Sequence, residues 1–294
     1  MKGRFAPSPS GRMHIGNVYA ALLSWLSARS QGGGYVLRIE DIDPQRSRKE
    51  YAEQIRADLH WLGLDWDEEY VQSERFAHYE HYLAKLKEMG LTYPCYCTKA
   101  DILATQAPHE TDGHIIYKGT CRNLPPSTNG GGATRLIVPD KTIRFTDGHY
   151  GEQHSNLATD CGDFIIRRKD GAWAYQLAVV VDDALNGITE VVRGRDLLPS
   201  VPQQLYLYEL LQFDAPRFIH IPLLINTDGQ RLCKRDKSLD LGVIRSIYSA
   251  EQVIGKLAHI AGITETDAPI KAKDLVPQFD WNKIPTRDIT VNTV

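Results

Sequence analysis

His14 and Asn17 stand where a helix-spaced apolar run begins, and that placement points to phosphate chemistry. Residues 4–17 read R-F-A-P-S-P-S-G-R-M-H-I-G-N. Pro7 and Pro9 fix φ and lack N–H donors. Gly11 and Gly16 allow a backbone to approach a ligand closely. From Gly16 onward Val18, Leu22, Trp25, Leu26 and Arg29 follow helical spacing, and Gly32-Gly33-Gly34 ends the run. His14 and Asn17 therefore sit at a helix N-terminus, where free N–H groups and the macrodipole favour an anion. A short strand, a turn containing Gly and a helix at the front of a chain read as a site for nucleotide phosphates. The plainer alternative is a strand-turn-helix with an incidental histidine.

Three further clusters could carry chemistry. Cys95-x-Cys97 with Tyr117-x-x-x-Cys121 has the residue types and spacing of a metal site. Its alternative is three reduced structural thiols, and His109 and His114 compete with Tyr117 for a fourth ligand position. Arg231-Leu232-Cys233-Lys234-Arg235 follows the turn Asn226-Thr227-Asp228-Gly229-Gln230; taken alone, such a basic pentapeptide is a solvated loop. Asp182-Asp183 and Arg193-Gly194-Arg195-Asp196 fit a metal or general acid/base pair, but read better as residues lining a cleft. Arg48, Lys49 and the Arg167-Arg168-Lys169 run are surface cations that could meet nucleic-acid phosphates.

The elements that must position these groups follow an α/β pattern. Tyr35–Ile39 is a strand ending in Glu40-Asp41-Ile42-Asp43-Pro44, which puts carboxylates at a strand's C-terminal end, where open α/β sheets bind ligands. Helices are expected over residues 48–62 and 76–89. Strand and helix alternate as in a parallel, doubly wound sheet. From residue 93 the texture changes to Gly, Pro, Thr and Asn, with short strands at Ile143-Arg144-Phe145 and around residues 163–168. The parallel pattern resumes at Glu190-Val191-Val192-Arg193, followed by a helix over 202–211 and a strand over 218–224. A helix over 250–261 precedes a stretch, 264–294, with few large apolar residues, read as a loosely packed tail. The expected organisation is 1–92 as the first half of the parallel fold, 93–185 as an inserted, partly β subdomain, 186–240 as the second half, and 241–294 as a short helical remnant and tail.

Composition limits the function classes. The 294 residues suffice for one large domain or two, and 42% hydrophobic with 24% charged residues is the balance of a globular protein. A net charge of −3 requires any nucleic-acid contact to use a local basic patch. No apolar run approaches the roughly 20 residues needed to span a bilayer, and no signal-peptide pattern is visible. Five cysteines, an odd number, argue against a disulfide framework. A reducing cytoplasm, no membrane association and a monomer are expected.

The N-terminal stretch resembles the signature of class I aminoacyl-tRNA synthetases, with H-I-G-N standing where the family has H-I-G-H. The flanking R-F-A-P-S-P-S-G is similar to the glutamyl branch. At the far end of the βα fold, Arg231-Leu232-Cys233-Lys234-Arg235 resembles the family's K-M-S-K-S loop, with Arg231 in place of the first lysine and Cys233 in place of the serine. The resemblance covers about residues 1–245. It implies a Rossmann-like catalytic domain with an inserted zinc-containing subdomain. The appended anticodon-binding domain of a full-length glutamyl enzyme has no counterpart in these residues. The pattern is thus similar to the shortened members of that branch, which esterify glutamate to a modified tRNA base.

Roles follow from the resemblance. His14, Asn17 and Lys234 would act on the ATP phosphates and the transition state, with Pro7, Gly16 and Arg231 completing the ATP site. Arg4, Ala6, Ser8, Glu40, Tyr175 and Arg193 would hold L-glutamate. A free glutamate brings two carboxylates and one ammonium, so Arg4 and Arg193 can clamp a carboxylate and Glu40 can pair the ammonium. Cys95, Cys97, Tyr117 and Cys121 would bind a structural Zn²⁺. ATP and Mg²⁺ are implied as substrate and counterion, and tRNA(Asp) carrying queuosine as partner. Two rivals are a fragment charging a tRNA 3′ end and a non-catalytic tRNA-binding paralogue; intact His14 and Lys234 argue against the second. Negative charge accumulates on the phosphoryl oxygens and on leaving pyrophosphate, so a cation aimed there matters greatly. Lys234→Ala is expected to depress ATP–pyrophosphate exchange by orders of magnitude. Exchange at the parent rate would remove this loop from the active site.

Overall fold

The computed structural model describes residues 1–98, 116–125, 131–229 and 240–291. The expectations placed on Arg231, Cys233, Lys234, His109 and His114 lie outside these residues. The first half runs β1 (Lys2–Phe5), α1 (Ile15–Ser30), β2 (Gly34–Ile39), α2 (Lys49–Leu62), β3 (Glu68–Val71) and α3 (Phe76–Glu88). β1, β2 and β3 pair in parallel, with Arg4 opposite Val36 and Arg38 opposite Tyr70.

A partly β segment follows. β4 (Thr92–Cys95), β5 (Ala133–Leu136) and β8 (Phe164–Arg167) form an antiparallel sheet. Between β5 and β8, β6 (Thr142–Asp147) and β7 (Gly151–Asn156) form a separate two-stranded hairpin. Helix α4 (Tyr175–Leu185) then returns the chain to β9 (Glu190–Gly194), α5 (Val201–Leu211) and β10 (Arg217–Ile221). β9 and β10 pair in parallel, with Arg193 opposite His220. The sequence reading did not identify α4 as a helix. Its centre, Val179-Val180-Val181, is β-branched and a poor helix former. These valines are buried, and packing between α3 and α5 overrides propensity. The strand expected over 218–224 breaks at Pro222, which has no N–H to donate, and resumes as β11 (Leu224–Ile225).

The two parallel sheets meet along β1 and β9. The Thr189 N–H donates to the Lys2 carbonyl at 2.9 Å, and Arg4 Nη1 donates to the Val192 carbonyl at 3.3 Å. From β1 the chain winds outward through β2 and β3; from β9 it winds the other way through β10. That reversal is a topological switch point, and the crevice beyond the strands' C-terminal ends is where such sheets bind ligands.

α1 is buried on nearly every face: Ile15, Val18, Tyr19, Leu22, Leu23, Trp25 and Leu26 are all inaccessible. A helix apolar all round must be covered on both sides. The sheet covers one side. The other is covered by the chain after residue 240: α6 (Leu241–Ile247), α7 (Ala250–Ile260) and α8 (Ala272–Leu275). The tail expected over 264–294 is therefore wrong. Ala272, Leu275 and Ile284 are core residues of the same cluster as α1. A last strand, β12 (Ile289–Thr290), pairs with β11 in parallel. Asp288 accepts from the Leu223 N–H at 2.9 Å and binds Arg195 through both oxygens. Small residues and a few well-spaced apolar ones suffice here because α1 supplies most of the apolar surface. Among the described residues, no helix is long and apolar enough to cross a membrane. Leu275→Ala is expected to destabilise the fold by about 2–5 kcal/mol in denaturant unfolding. A change under about 0.5 kcal/mol, the scale of a surface substitution, would restore the view of a loose tail.

Candidate active site

A cavity of about 430 Å³ opens at the switch point. Its lining includes ten expected site residues, namely Arg4, Ala6, Pro7, Ser8, His14, Gly16, Asn17, Glu40, Tyr175 and Arg193. Arg4 rides on β1, Glu40 follows β2, Arg193 is the penultimate residue of β9 and Tyr175 begins α4, so residues distant in the chain converge at the strand ends.

His14 and Asn17 form a reciprocal cap on α1. The Gly16 N–H donates to His14 Nδ1 at 3.1 Å, and the His14 N–H donates to Asn17 Oδ1 at 3.1 Å. The cap has a chemical consequence. A neutral imidazole that accepts at Nδ1 carries its proton on Nε2. Asn17 thus does structural work in the cap that explains its place in H-I-G-N. Gly16 has to be small, because a Cβ there would lie 3.0 Å from the His14 ring. Asp240 pairs with His14 in an antiparallel bridge, and the Leu241 N–H donates to the Met13 carbonyl at 3.0 Å.

Beneath the cavity lies a set of buried charges. Arg38 is 1% exposed. Its Nη1 meets Asp183 Oδ1 at 2.5 Å and its Nη2 meets Glu40 Oε1 at 3.0 Å. Burial raises the Glu40 pKa, and the opposing pull of Arg38 and Arg4 does not cancel it. Arg4 is buried too. Its Nε has no hydrogen-bond partner among the described residues and lies 3.5 Å from Asp183. Asp182 binds Arg75, Gln72 and Tyr79. The Asp182-Asp183 pair is thus two separate ion-pair anchors and neither a metal pair nor an acid/base pair. Sequence reasoning missed Arg38, whose partner Asp183 is 145 residues away.

Arg193 is held differently. Its Nε donates to His220 Nε2 at 3.0 Å, Nη1 to the Tyr175 hydroxyl at 3.3 Å, and Nη2 to Gln204 Oε1 at 2.8 Å and the Leu197 carbonyl at 3.3 Å. Every one of these acceptors is neutral once His220 is neutral. Burial lowers the Arg193 pKa, and nearby Arg4 adds to that. Burial also lowers the His220 pKa, against the pull of Asp147. His220 Nδ1 lies 2.6 Å from Asp147 Oδ2. Burial works against the Asp147 carboxylate, yet hydrogen bonds from His220 and from the Tyr150 and His149 N–H groups hold its pKa below the usual value. His220 and Asp147 left no signal in the sequence, because nothing local marks a histidine inside a strand.

The surface cations proposed to face nucleic acid are partly engaged. Arg167 pairs with Glu80, and Arg168 with Asp43 and Asp170.

The cysteines converge away from this cavity. The sulfurs of Cys95, Cys97 and Cys121 lie within 4.8 Å of one another. The Tyr117 hydroxyl is 3.6 Å from Cys97 Sγ and accepts from the Cys121 N–H at 2.8 Å. Burial pushes the Cys97 thiol up to about 11. At Cys121 burial pushes the same way, but hydrogen bonds to Tyr117, the Tyr96 backbone and the other thiols prevail and bring it down to about 7. The Arg135 guanidinium lies 3.8 Å above the Tyr117 ring, a cation–π contact, and burial holds the Tyr117 hydroxyl pKa well above its usual value. Three thiols and a phenol at these separations fit a tetrahedral thiophilic ion with no open position.

The sequence matches the family described as tRNA synthetases class I (E and Q), catalytic domain, over residues 1–283. The chain therefore belongs to the class I tRNA synthetases of the glutamyl and glutaminyl type. Within that family it is 46% identical to a glutamyl-Q tRNA(Asp) synthetase of Symbiobacterium thermophilum, over 98% of this chain and 95% of the relative. It is 44% identical to the glutamate–tRNA ligase of Aquifex aeolicus, over 83% of this chain and 54% of that protein. The fold superposes on a glutamate tRNA ligase of Elizabethkingia meningosepticum, solved in complex with its amino acid, with a TM-score of 0.84 at 26% identity, covering all of this chain and 67% of that one.

The metal reading is open to a direct count. Purified protein is expected to carry about one zinc per chain, and Cys97→Ser to lose most of it together with stability. A Cys97→Ser protein with full zinc content and unchanged stability would show that these thiols bind no metal.

Proposed function

We infer that this protein activates L-glutamate with ATP and transfers the glutamyl group to queuosine in the anticodon of tRNA(Asp). The observation that carries the reading is the convergence of Arg4, Arg193, Tyr175 and Glu40 on one cavity, beside the capped N-terminus of α1. Arg193 is a buried cation whose contacts are neutral, and the Nε of Arg4, 3.5 Å from Asp183, has no hydrogen-bond acceptor among the described residues. Both are suited to a ligand carboxylate, which would supply the charge-assisted, bidentate bonds that guanidinium groups favour. Glu40, already fixed by Arg38, is placed to meet the ammonium.

The chemistry then runs on positioning. A glutamate α-carboxylate oxygen attacks the α-phosphorus of ATP, the bond to the bridging oxygen breaks, and pyrophosphate departs with the electron pair. His14 and the dipole of α1 would meet the charge that develops on the phosphoryl oxygens. Lys234 would neutralise the leaving pyrophosphate. A queuosine hydroxyl then attacks the acyl carbon, releasing AMP, and the mixed anhydride needs no protein nucleophile. The described lining offers only two carboxylates, Glu40 and Asp196. That is too few for a protein-built magnesium cage, so Mg²⁺ would arrive on the triphosphate, whose charge it neutralises. The Zn²⁺ site, held by Cys95, Cys97, Cys121 and Tyr117, would brace the inserted segment and supply no reacting group. Use of tRNA and ATP as substrates supports a cytoplasmic location.

The acceptor is supported by relatives named glutamyl-Q tRNA(Asp) synthetase that match over nearly their whole length. Single-stranded, splayed anticodon bases are the usual target of specific RNA recognition. Labelled glutamate is expected to attach to tRNA(Asp) carrying queuosine and to survive trimming of the 3′ terminal nucleotides. Periodate oxidation of the modified base's cis-diol should abolish acceptance. Equal charging of tRNA lacking queuosine, or loss of label on 3′ trimming, would assign the protein to conventional 3′-end charging.

A further inference from the structure

We propose that Asp147 and His220 are positioning residues that give Arg193 its carboxylate-binding geometry, through a fixed histidine tautomer. This rests on the reading that the cavity binds glutamate. Asp147 closes the β6–β7 hairpin of the inserted segment, whereas His220 and Arg193 sit on β10 and β9. The relay thus ties the insertion to the floor of the amino-acid site.

The atoms define its direction. Asp147 Oδ1 accepts three backbone N–H groups, from His149 at 3.0 Å, Tyr150 at 3.0 Å and His220 at 3.2 Å. Oδ2 is left for His220 Nδ1, at 2.6 Å. A carboxylate accepts only, so Nδ1 must carry the proton. His220 Nε2 is then a lone pair, and it receives the Arg193 Nε–H at 3.0 Å. With Tyr175 and Gln204 holding the two outer nitrogens, the guanidinium plane is fixed without any carboxylate touching it. The anion of the set, Asp147, stands one imidazole away. A carboxylate in direct contact would compete with the substrate for Arg193; a neutral ring orients the cation and leaves its charge for the ligand. His220 is fully buried, and the charged groups acting on it are Asp147, Arg193 and Arg4.

Asp147→Asn tests this with almost no change of shape. The three N–H groups require oxygen at the Oδ1 position, so the new NH₂ faces His220 Nδ1. Nδ1 must then accept, the proton moves to Nε2, and two donors confront each other across the Arg193 contact. The same logic, an amide reversing a buried histidine's tautomer, operates in the serine protease triad. His220→Gln supplies an acceptor near the Nε2 position whose orientation does not depend on residue 147.

The measurement is equilibrium binding of L-glutamate and, separately, of ATP to the full chain, with the His220 tautomer read from its ring ¹⁵N shifts. Asp147→Asn is expected to weaken glutamate binding about 10- to 100-fold, the range for losing a hydrogen bond to a charged group. ATP binding should stay at the parent level and the His220 proton should move to Nε2. The double variant Asp147→Asn/His220→Gln should recover most of the loss, which a merely structural role for Asp147 would not allow. Parent-like glutamate binding by Asp147→Asn overturns the proposal, as does joint loss of glutamate and ATP without recovery in the double variant. A parent protein that binds no glutamate overturns the substrate reading instead, while the ¹⁵N shifts still report whether Asp147 sets the tautomer.

Discussion

Burying guanidinium groups beneath an open cavity is the constraint on which the rest of this structure depends. Arg4, Arg38 and Arg193 are all nearly inaccessible. A buried charge left unpaired costs several kcal/mol, so each arginine needs a defined set of partners. Those partners come from every layer: Glu40 from β2, Asp183 and Tyr175 from α4, the Val192 carbonyl from β9, and His220 from β10. Meeting these demands fixes the spacing of the two half-sheets and the placement of α4. The three arginines divide the work. Arg38 saturates two carboxylates and is structural. Arg193 has only neutral acceptors, Arg4 shares Asp183 with Arg38, and both line the cavity.

α1 is the second point of dependence. Its N-terminus forms one edge of the cavity and its body is the core. The two roles constrain each other, because the cap that aims His14 is stable only if the helix behind it cannot shift. Covering α1 on its outer face explains why the chain after residue 240 is ordered and apolar in the right places. It also links that region to the site by a second route. Asp288 grips Arg195 and the Leu223 N–H, and the carbonyls of Pro285 and Thr286 receive His149 and Tyr150. The last residues therefore touch both the rim of the cavity and the hairpin that carries Asp147.

What could be read from the sequence was whatever is local. The turn of residues 4–17, the helix that follows, the acidic end of β2 and the Cys-x-Cys spacing each announce themselves within a few residues. The site residues they name do line one cavity or form one cluster. The second layer was not legible. Arg38 and Asp183, or His220 and Asp147, are separated by 145 and 73 residues, and a buried arginine in an apolar strand looks like a surface residue of an amphipathic one. α4 was hidden by its valines. The C-terminal stretch was misread because its apolar residues are sparse, and sparseness only becomes sufficient when the opposing helix provides the apolar surface.

The same contrast bears on how specificity is distributed. Under the proposed function, residues touching the cavity set which groups a ligand must have: a carboxylate for Arg193 and Arg4, an ammonium for Glu40. The residues behind them set how sharply that demand is made. An arginine neutralised by direct contact with a carboxylate would bind an anion weakly, and one left loose would lose side-chain entropy on binding. His220 and Gln204 avoid both penalties by offering neutral, rigid acceptors. Because Asp147 belongs to the inserted hairpin, the geometry of Arg193 is decided partly outside the parallel fold. A change in that insertion can therefore alter the amino-acid site without altering a single residue that lines it.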